Sequence, residues 1–227
     1  MTTLLVVAHP DDEVLGAGGY AASLAARGRP VRACILSGSV GARQHRPADE
    51  ELREDTCRAQ ALLGLPEPIL GPFPNIAFNT VPHLELVQFV ERAVLECQAT
   101  EILTHHPADL NDDHRHTAPA AQVAARLHQR NGSVPPLERL AYMEILSSTD
   151  WAFPLPAEAF VPNAFAAIGA EGLERKVAAL AAYREVMRPF PHSRSREALL
   201  ALATLRGAQA GLPYAEAFQV AYQRLGG

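Results

Sequence analysis

Cysteine is scarce in this 227-residue chain: Cys34, Cys57 and Cys97 are widely spaced, odd in number and form no C-x-x-C. That excludes a disulfide framework, suits a reducing cytoplasm, and leaves the three as small buried hydrophobes. Positive charge is also in deficit. Twenty Lys and Arg face twenty-five Asp and Glu, a formal net charge of -5, which disfavours a nucleic-acid partner. No run of about 18 apolar residues exists, so no transmembrane helix is expected. The opening MTTLLVVAHPDDE has no basic n-region and reaches acidic residues too soon for a signal peptide. There is no low-complexity stretch and no internal repeat. With 48% hydrophobic and 20% charged residues, the chain is expected to form one globular domain over residues 1–227, cytoplasmic and with a sizeable core.

Thr3–Ala8, TLLVVA, is a β-branched apolar run of the kind buried on both faces inside parallel sheets. Val14–Arg27 carries Val14, Leu15, Ala21, Leu24 and Ala25 at helical spacing, and Gly28 closes it. A strand follows at Val31–Leu36, a helix at 48–63 stopped by Gly64 and Pro66, and a short strand at Pro68–Gly71. His83–Gln98 is helical by pattern, Glu101–Thr104 strand-like and Ala118–Arg130 helical. Alternating strands and helices over residues 1–130 predict an α/β fold: a Rossmann-like three-layer sandwich with a mostly parallel sheet and right-handed crossovers. Residues 131–227 read as a C-terminal elaboration, with strands at Arg139–Leu146 and Phe160–Ile168 and helices at 171–186 and 195–210.

Ligands of open parallel sheets collect at the carboxyl ends of the strands. Two polar clusters fall there: His9-Pro10-Asp11-Asp12-Glu13 after the first strand, and the stretch His105–His116 after the fourth. His9 and Asp12, three apart across a strand-to-helix turn, can converge on one ion. Asp11 points elsewhere, near the ion without binding it, where a water needs a base. One further histidine completes a His/Asp/His set with an open position, as in hydrolytic zinc sites; iron(II) fits the same donors. His114 is the best placed, with Asp113 able to orient it or a neighbouring water.

Other readings compete for these residues. Asp11, Asp12 and Glu13 also suit a helix N-terminus, where acidic side chains meet the positive end of the dipole. The histidines of His105–His116 could be solvated loop residues. Asp11 and Glu13 could form the carboxylate pair of a metal-independent glycosidase, and a non-catalytic sugar-binding protein is a further alternative. Gly16, Gly18 and Ala21 match G-x-G-x-x-A, but a dinucleotide fingerprint follows its strand directly and requires an acid ending the second strand. Here seven residues, three of them acidic, intervene, and the second strand ends in Ser37-Gly38-Ser39. The glycines are better explained by close helix–sheet packing.

His9-Pro10-Asp11-Asp12-Glu13, entered from LLVVA and followed by Gly16 and Gly18-Gly19, resembles the opening of the PIG-L/LmbE-like de-N-acetylases. Arg53 and Glu54 before Ala61-Leu62-Leu63-Gly64 are similar to the family's second segment, and Asp109-Leu110-Asn111-Asp112-Asp113-His114-Arg115 to its third. Ser147-Ser148-Thr149 through Trp151, Pro162-Asn163, Lys176 with Tyr183, His192 with Arg194-Ser195, and Ala215-Glu216-Ala217-Phe218 resemble the tail of a bacterial branch. The resemblance implies one zinc ion on a Rossmann-like sheet and hydrolysis of an N-acetyl group from an amino sugar, such as an N-acetylglucosamine-containing small molecule or conjugate. By matching positions, His9, Asp12 and His114 would be the zinc ligands, Asp11 the general base and Asp113 the acid beside the last ligand. Many members carry a histidine where this chain has Asn111, so the donor to the oxyanion would be Asn111 itself or His192. Arg53 would hold a sugar hydroxyl or phosphate, unless it forms an ordinary helix ion pair. Arg43, His45 and Arg46 lie in a loop that could close over a ligand, and Trp151 could stack on a sugar or simply pack. The tail motifs could complete a neighbouring subunit's site, which leaves room for a homo-oligomer.

Overall fold

The structure is a computed structural model and describes residues 1–38, 49–153 and 158–225. Strand β1 (Thr3–Val7) is buried at every position, as its uninterrupted TLLVV run requires. It pairs in parallel with β2 (Val31–Ile35) on one side and β4 (Glu101–His105) on the other, Leu5 lying opposite both Ala33 and Leu103. The short β3 (Ile69–Leu70) flanks β2, and β5 (Arg139–Met143) flanks β4, both in parallel. Then the direction changes. Strand β7 (Ala215–Gln223) runs antiparallel to β5, and β6 (Ala164–Ala167) antiparallel to β7, giving the order β3-β2-β1-β4-β5-β7-β6.

Alternation along β1 sorts its side chains into two apolar layers. Leu5 and Val7 join the core under α1 (Asp12–Ala26), α2 (Asp49–Leu63), α5 (Gly169–Ala182) and α6 (Arg196–Ala210). Leu4, Val6 and Ala8 pack under α3 (His83–Cys97) and α4 (Asp112–Ala124). The result is the expected α/β three-layer arrangement. Gly16 confirms the packing reading of the glycines: a Cβ there would lie 2.7 Å from Ile145 Cδ1, just beyond β5.

Two elements differ from the sequence expectation. Helix α4 begins at Asp112, six residues earlier than its apolar periodicity suggests, because its first turns carry polar residues facing the site. Asn111 caps it, its side chain accepting from the Asp113 amide at 2.9 Å. Strand β7 lies in a segment read only as a tail motif. Its alternation is broken by Glu216, a buried carboxylate with a structural task.

That task is in α1. The helix breaks at Ala17 (φ -147°, ψ 18°), which opens its hydrogen-bond ladder. The Leu15 carbonyl, which an unbroken helix would pair with the Gly19 amide, accepts instead from Lys176 Nζ at 2.7 Å. The Gly19 and Tyr20 amides donate to the two Glu216 oxygens at 3.0 and 2.7 Å. Lys176 and Glu216 close the arrangement with a buried ion pair of 2.6 Å.

Candidate metal centre

The chain leaves β1 at Val7 and turns through His9-Pro10-Asp11 into α1, while β4 ends at His105 beside it and α4 starts nearby. Parallel pairing of β1 with β4 places the two polar clusters at one sheet edge. The turn is held by the His9 amide, which donates to Asp12 Oδ2 at 2.9 Å. Asp11 occupies the cap position with φ 112°, a conformation L-residues rarely adopt.

One atom from each of His9, Asp12 and His114 converges here, all within 4.8 Å of one another and all buried. Asp12 Oδ2 lies 3.3 Å from His9 Nδ1 and 3.2 Å from His114 Nε2. Zinc–ligand distances of about 2.0–2.2 Å give a tetrahedral edge of about 3.3–3.6 Å, so the spacing suits such an ion. The remaining nitrogens are each backed by a carboxylate. His9 Nε2 meets Asp113 Oδ2 at 2.8 Å, and His114 Nδ1 meets Asp109 Oδ1 at 3.2 Å. Such pairing fixes ring orientation and raises ligand basicity. Asp113 also accepts from the Ile76 and Phe78 amides at 2.6 and 2.9 Å; Asp109 accepts from Thr149 Oγ1 and the Asn111 amide at 2.8 and 3.0 Å, and from Ser148 Oγ.

The buried groups shift one another strongly. Burial opposes a charged His114, but Asp12 and Asp109 outweigh it and push its pKa up to about 10. Burial would raise Asp109, yet the His114 hydrogen bond and charge bring it down to about 2. Asp12 is held well below the carboxylate range despite its burial, by the His114 charge and by hydrogen bonds to His114 and His9. His105 behaves differently: burial and the His114 charge push it down to about 3. Neutral, it stacks on His114 with ring centroids 3.7 Å apart while Nε2 accepts from the Ala8 amide at 2.8 Å. His105, Asp109 and His114 form a second candidate cluster, but neither His105 nor Asp109 lines the adjoining cavity.

That cavity, about 210 Å³, is lined by His9, Asp11, Asp12, Asn75, Ile76, Asn111, His114, Ser147, Ser148 and Arg194. Three of its residues adopt positive φ: Asp11, Ile76 at 56° and Ser147 at 70°. Strained backbone of this kind collects at functional sites.

Of the residues singled out in the sequence, His9, Asp11, Asp12, Asn111 and His114 share this wall. Asp113 turns to His9 rather than to His114 and does not line the cavity; its carboxylate also accepts from two backbone amides. His192 is exposed on a turn and off the cavity wall, its Nδ1 accepting from the Arg194 amide at 3.0 Å. Arg53 is exposed on α2, outside the lining residues. Trp151 is also exposed. Arg43, His45 and Arg46 lie outside the described residues. Glu13 cannot act in a carboxylate pair on a sugar, because it is fully buried, accepting from Gln60 Nε2 at 2.9 Å and Tyr183 Oη at 2.6 Å. Burial and the Asp11 charge, against the Tyr183 hydrogen bond, push its pKa to about 7. Asp109, Ser147, Ser148 and Arg194 stood in the sequence motifs without a role assigned to them.

Fold and site together define an α/β protein with a His/Asp/His centre at the carboxyl edge of a parallel sheet. Residues 4–125 match the PIG-L family, described as GlcNAc-PI de-N-acetylase, and the chain belongs to that family. Among solved structures, the conserved protein TT1542 of Thermus thermophilus is 26% identical with a TM-score of 0.78, covering 100% of this chain and 98% of its own. The N,N'-diacetylchitobiose deacetylase of Pyrococcus horikoshii is 20% identical with a TM-score of 0.77, covering 96% of this chain and 83% of its own. A 4-carboxy-2-hydroxymuconate hydratase of Pseudomonas putida is 22% identical with a TM-score of 0.75, covering 100% and 99%. No curated protein matches the chain. No helix among the described residues is long and apolar enough to cross a membrane.

Proposed function

We propose that this chain is a zinc-dependent hydrolase that removes the N-acetyl group from an N-acetylglucosamine-containing small molecule or conjugate. The observation that carries the reading is the convergence of His9 Nδ1, Asp12 Oδ2 and His114 Nε2 beside a cavity that also presents Asp11. Family membership and the deacetylase neighbour support N-deacetylation as the chemistry.

His9, Asp12 and His114 would hold the ion, zinc or iron(II). Such an ion supplies Lewis acidity, which raises the acidity of water and polarises an acyl carbonyl. The protein does the rest. Asp11 accepts the proton of the attacking water as it adds to the acetamide carbon. Asn111 lines the cavity with its Oδ1 accepting from the Asp113 amide, and its Nδ2 would be the donor to the developing oxyanion. A preorganised donor of this kind contributes about 3 kcal/mol. The C–N bond then breaks and Asp11 returns its proton to the departing amine. Asp113 and Asp109 orient the two imidazoles and take no part in proton transfer.

The test is acetate release by zinc-reconstituted protein across a panel of N-acetylglucosaminides, with and without chelator. Chelator-sensitive release from one member is expected. Silence across the panel with a full complement of zinc would overturn the acyl assignment and turn attention to water addition, the chemistry named for the Pseudomonas putida neighbour. Release insensitive to chelator would favour metal-independent hydrolysis instead.

A further inference from the structure

Asp11 and Ser147 both sit in left-handed backbone conformations, at φ 112° and 70°, on separate loops of the cavity wall. One guanidinium joins them. Arg194 donates from Nη1 to Asp11 Oδ2 at 3.1 Å and from Nε to Ser147 Oγ at 2.6 Å. Its own segment is built to deliver it: His192 Nδ1 accepts from the Arg194 amide, the Arg194 carbonyl accepts from the Arg188 amide at 3.3 Å, and the next residue, Ser195, caps α6. From the core side, Glu13 Oε2 accepts the Asp11 amide at 3.1 Å. Asp11 is thus gripped by its backbone from below and by its carboxylate from the cavity. Arg194 is also the sole Lys or Arg among the described residues that line the cavity.

We infer that Arg194, steadied by Ser147, is a positioning residue that fixes the rotamer of the Asp11 carboxylate toward the attacking water. This rests on the reading of Asp11 as the base. A planar guanidinium directs two N–H bonds along fixed vectors and so spans both partners; a lysine ammonium is a single point on a flexible stem. With the side chain of Asp11 only 5% exposed and that of Arg194 28%, the pair is shielded enough to hold geometry.

The variants Arg194→Ala, Arg194→Lys and Ser147→Ala test it. A misplaced catalytic group loses on the order of 100-fold in rate, so Arg194→Ala is expected to lose that much in kcat. Its KM should stay within about threefold of wild type on that same positioning argument, with zinc per chain unchanged. Added guanidinium ion should restore part of the activity of Arg194→Ala and none of it to wild type. Arg194→Lys should resemble Arg194→Ala, and Ser147→Ala should lose less, again in kcat. A rise in KM with kcat intact, an unchanged kcat, or a folded Arg194→Ala that ignores guanidinium overturns the inference while leaving the hydrolase reading in place. Should Arg194→Ala not fold, Arg194→Lys carries the kcat and KM comparison. Absence of acetate release from wild type is instead a failure of the hydrolase reading. The inference is then decided by a crystal structure of Arg194→Lys: the Asp11 carboxylate rotated, with His9, Asp12 and His114 in place, supports it, and an unmoved carboxylate overturns it.

Discussion

Two clusters of buried charge lie along α1, and they are built to opposite ends. At the helix break, Lys176 and Glu216 neutralise each other, and their remaining hydrogen-bonding capacity is spent on the Leu15 carbonyl and the Gly19 and Tyr20 amides. At the helix start, two imidazoles and a carboxylate crowd atoms of the same few ångströms together, and their outer faces are tied down by Asp109 and Asp113 while their inner faces point at one spot. The first cluster is spent on its own ion pair and on backbone groups; the second brings three donor atoms together beside a cavity. Buried polar groups that converge on one point beside a cavity are thus set apart from those that only tie backbone together.

Removing a ligand should produce the largest difference between the clusters. Asp12→Ala is expected to lower zinc affinity by more than about 100-fold, exceeding the loss typical of outer-shell changes, and to abolish acetate release with folding retained. Zinc titration against a competing chelator measures it. Lys176→Met leaves the Glu216 carboxylate buried without its cation and should destabilise the fold by about 3–5 kcal/mol. Urea unfolding reads this, and the zinc stoichiometry of the folded fraction should stay at the wild-type value. If zinc is lost with the lysine, the two clusters are not independent.

The three residues that converge were legible because they are local. His9 and Asp12 are three apart on a turn that a buried strand forces, and His114 lies in a polar stretch after another strand of the same sheet. The orienting partners were harder to read. Asp113 is adjacent to His114 in sequence but serves His9, because the first turn of α4 directs neighbouring side chains about 100° apart. Arg194 reaches Asp11 across most of the chain, through a turn whose sequence shows nothing of its target. The start of α4 and the whole of β7 were hidden for one shared reason. At Asp113, His114 and Thr117 and at Glu216, buried polar residues replace the apolar periodicity from which elements are recognised.

The outer carboxylates give a finer contrast. Asp109→Asn and Asp113→Asn should each weaken zinc binding by about 10–100-fold. Asp112→Asn should not, since Asp112 is exposed and pairs with Arg115 at 2.8 Å and His116 at 3.4 Å. Equal effects at all three positions would contradict the assigned orientation roles. The smallest effect is a proton. His114 is raised from 6.5 to about 10 in the folded metal-free protein, so its stabilising contribution is full below 6.5 and fades as pH rises through 10. An ion must displace that proton. Metal affinity should accordingly rise with pH over this window, with at least about one proton released per ion at about pH 7, since His9 is raised as well, measurable by calorimetry in buffers of differing ionisation enthalpy.

The most direct test of a centre in which holding the ion and moving the proton belong to different residues is Asp11→Asn, assayed for zinc content and acetate release on the same sample. The separation predicts wild-type zinc content with acetate release reduced by at least about 100-fold, within the usual range for a general base. Release at the wild-type rate, or loss of zinc together with activity, would contradict it.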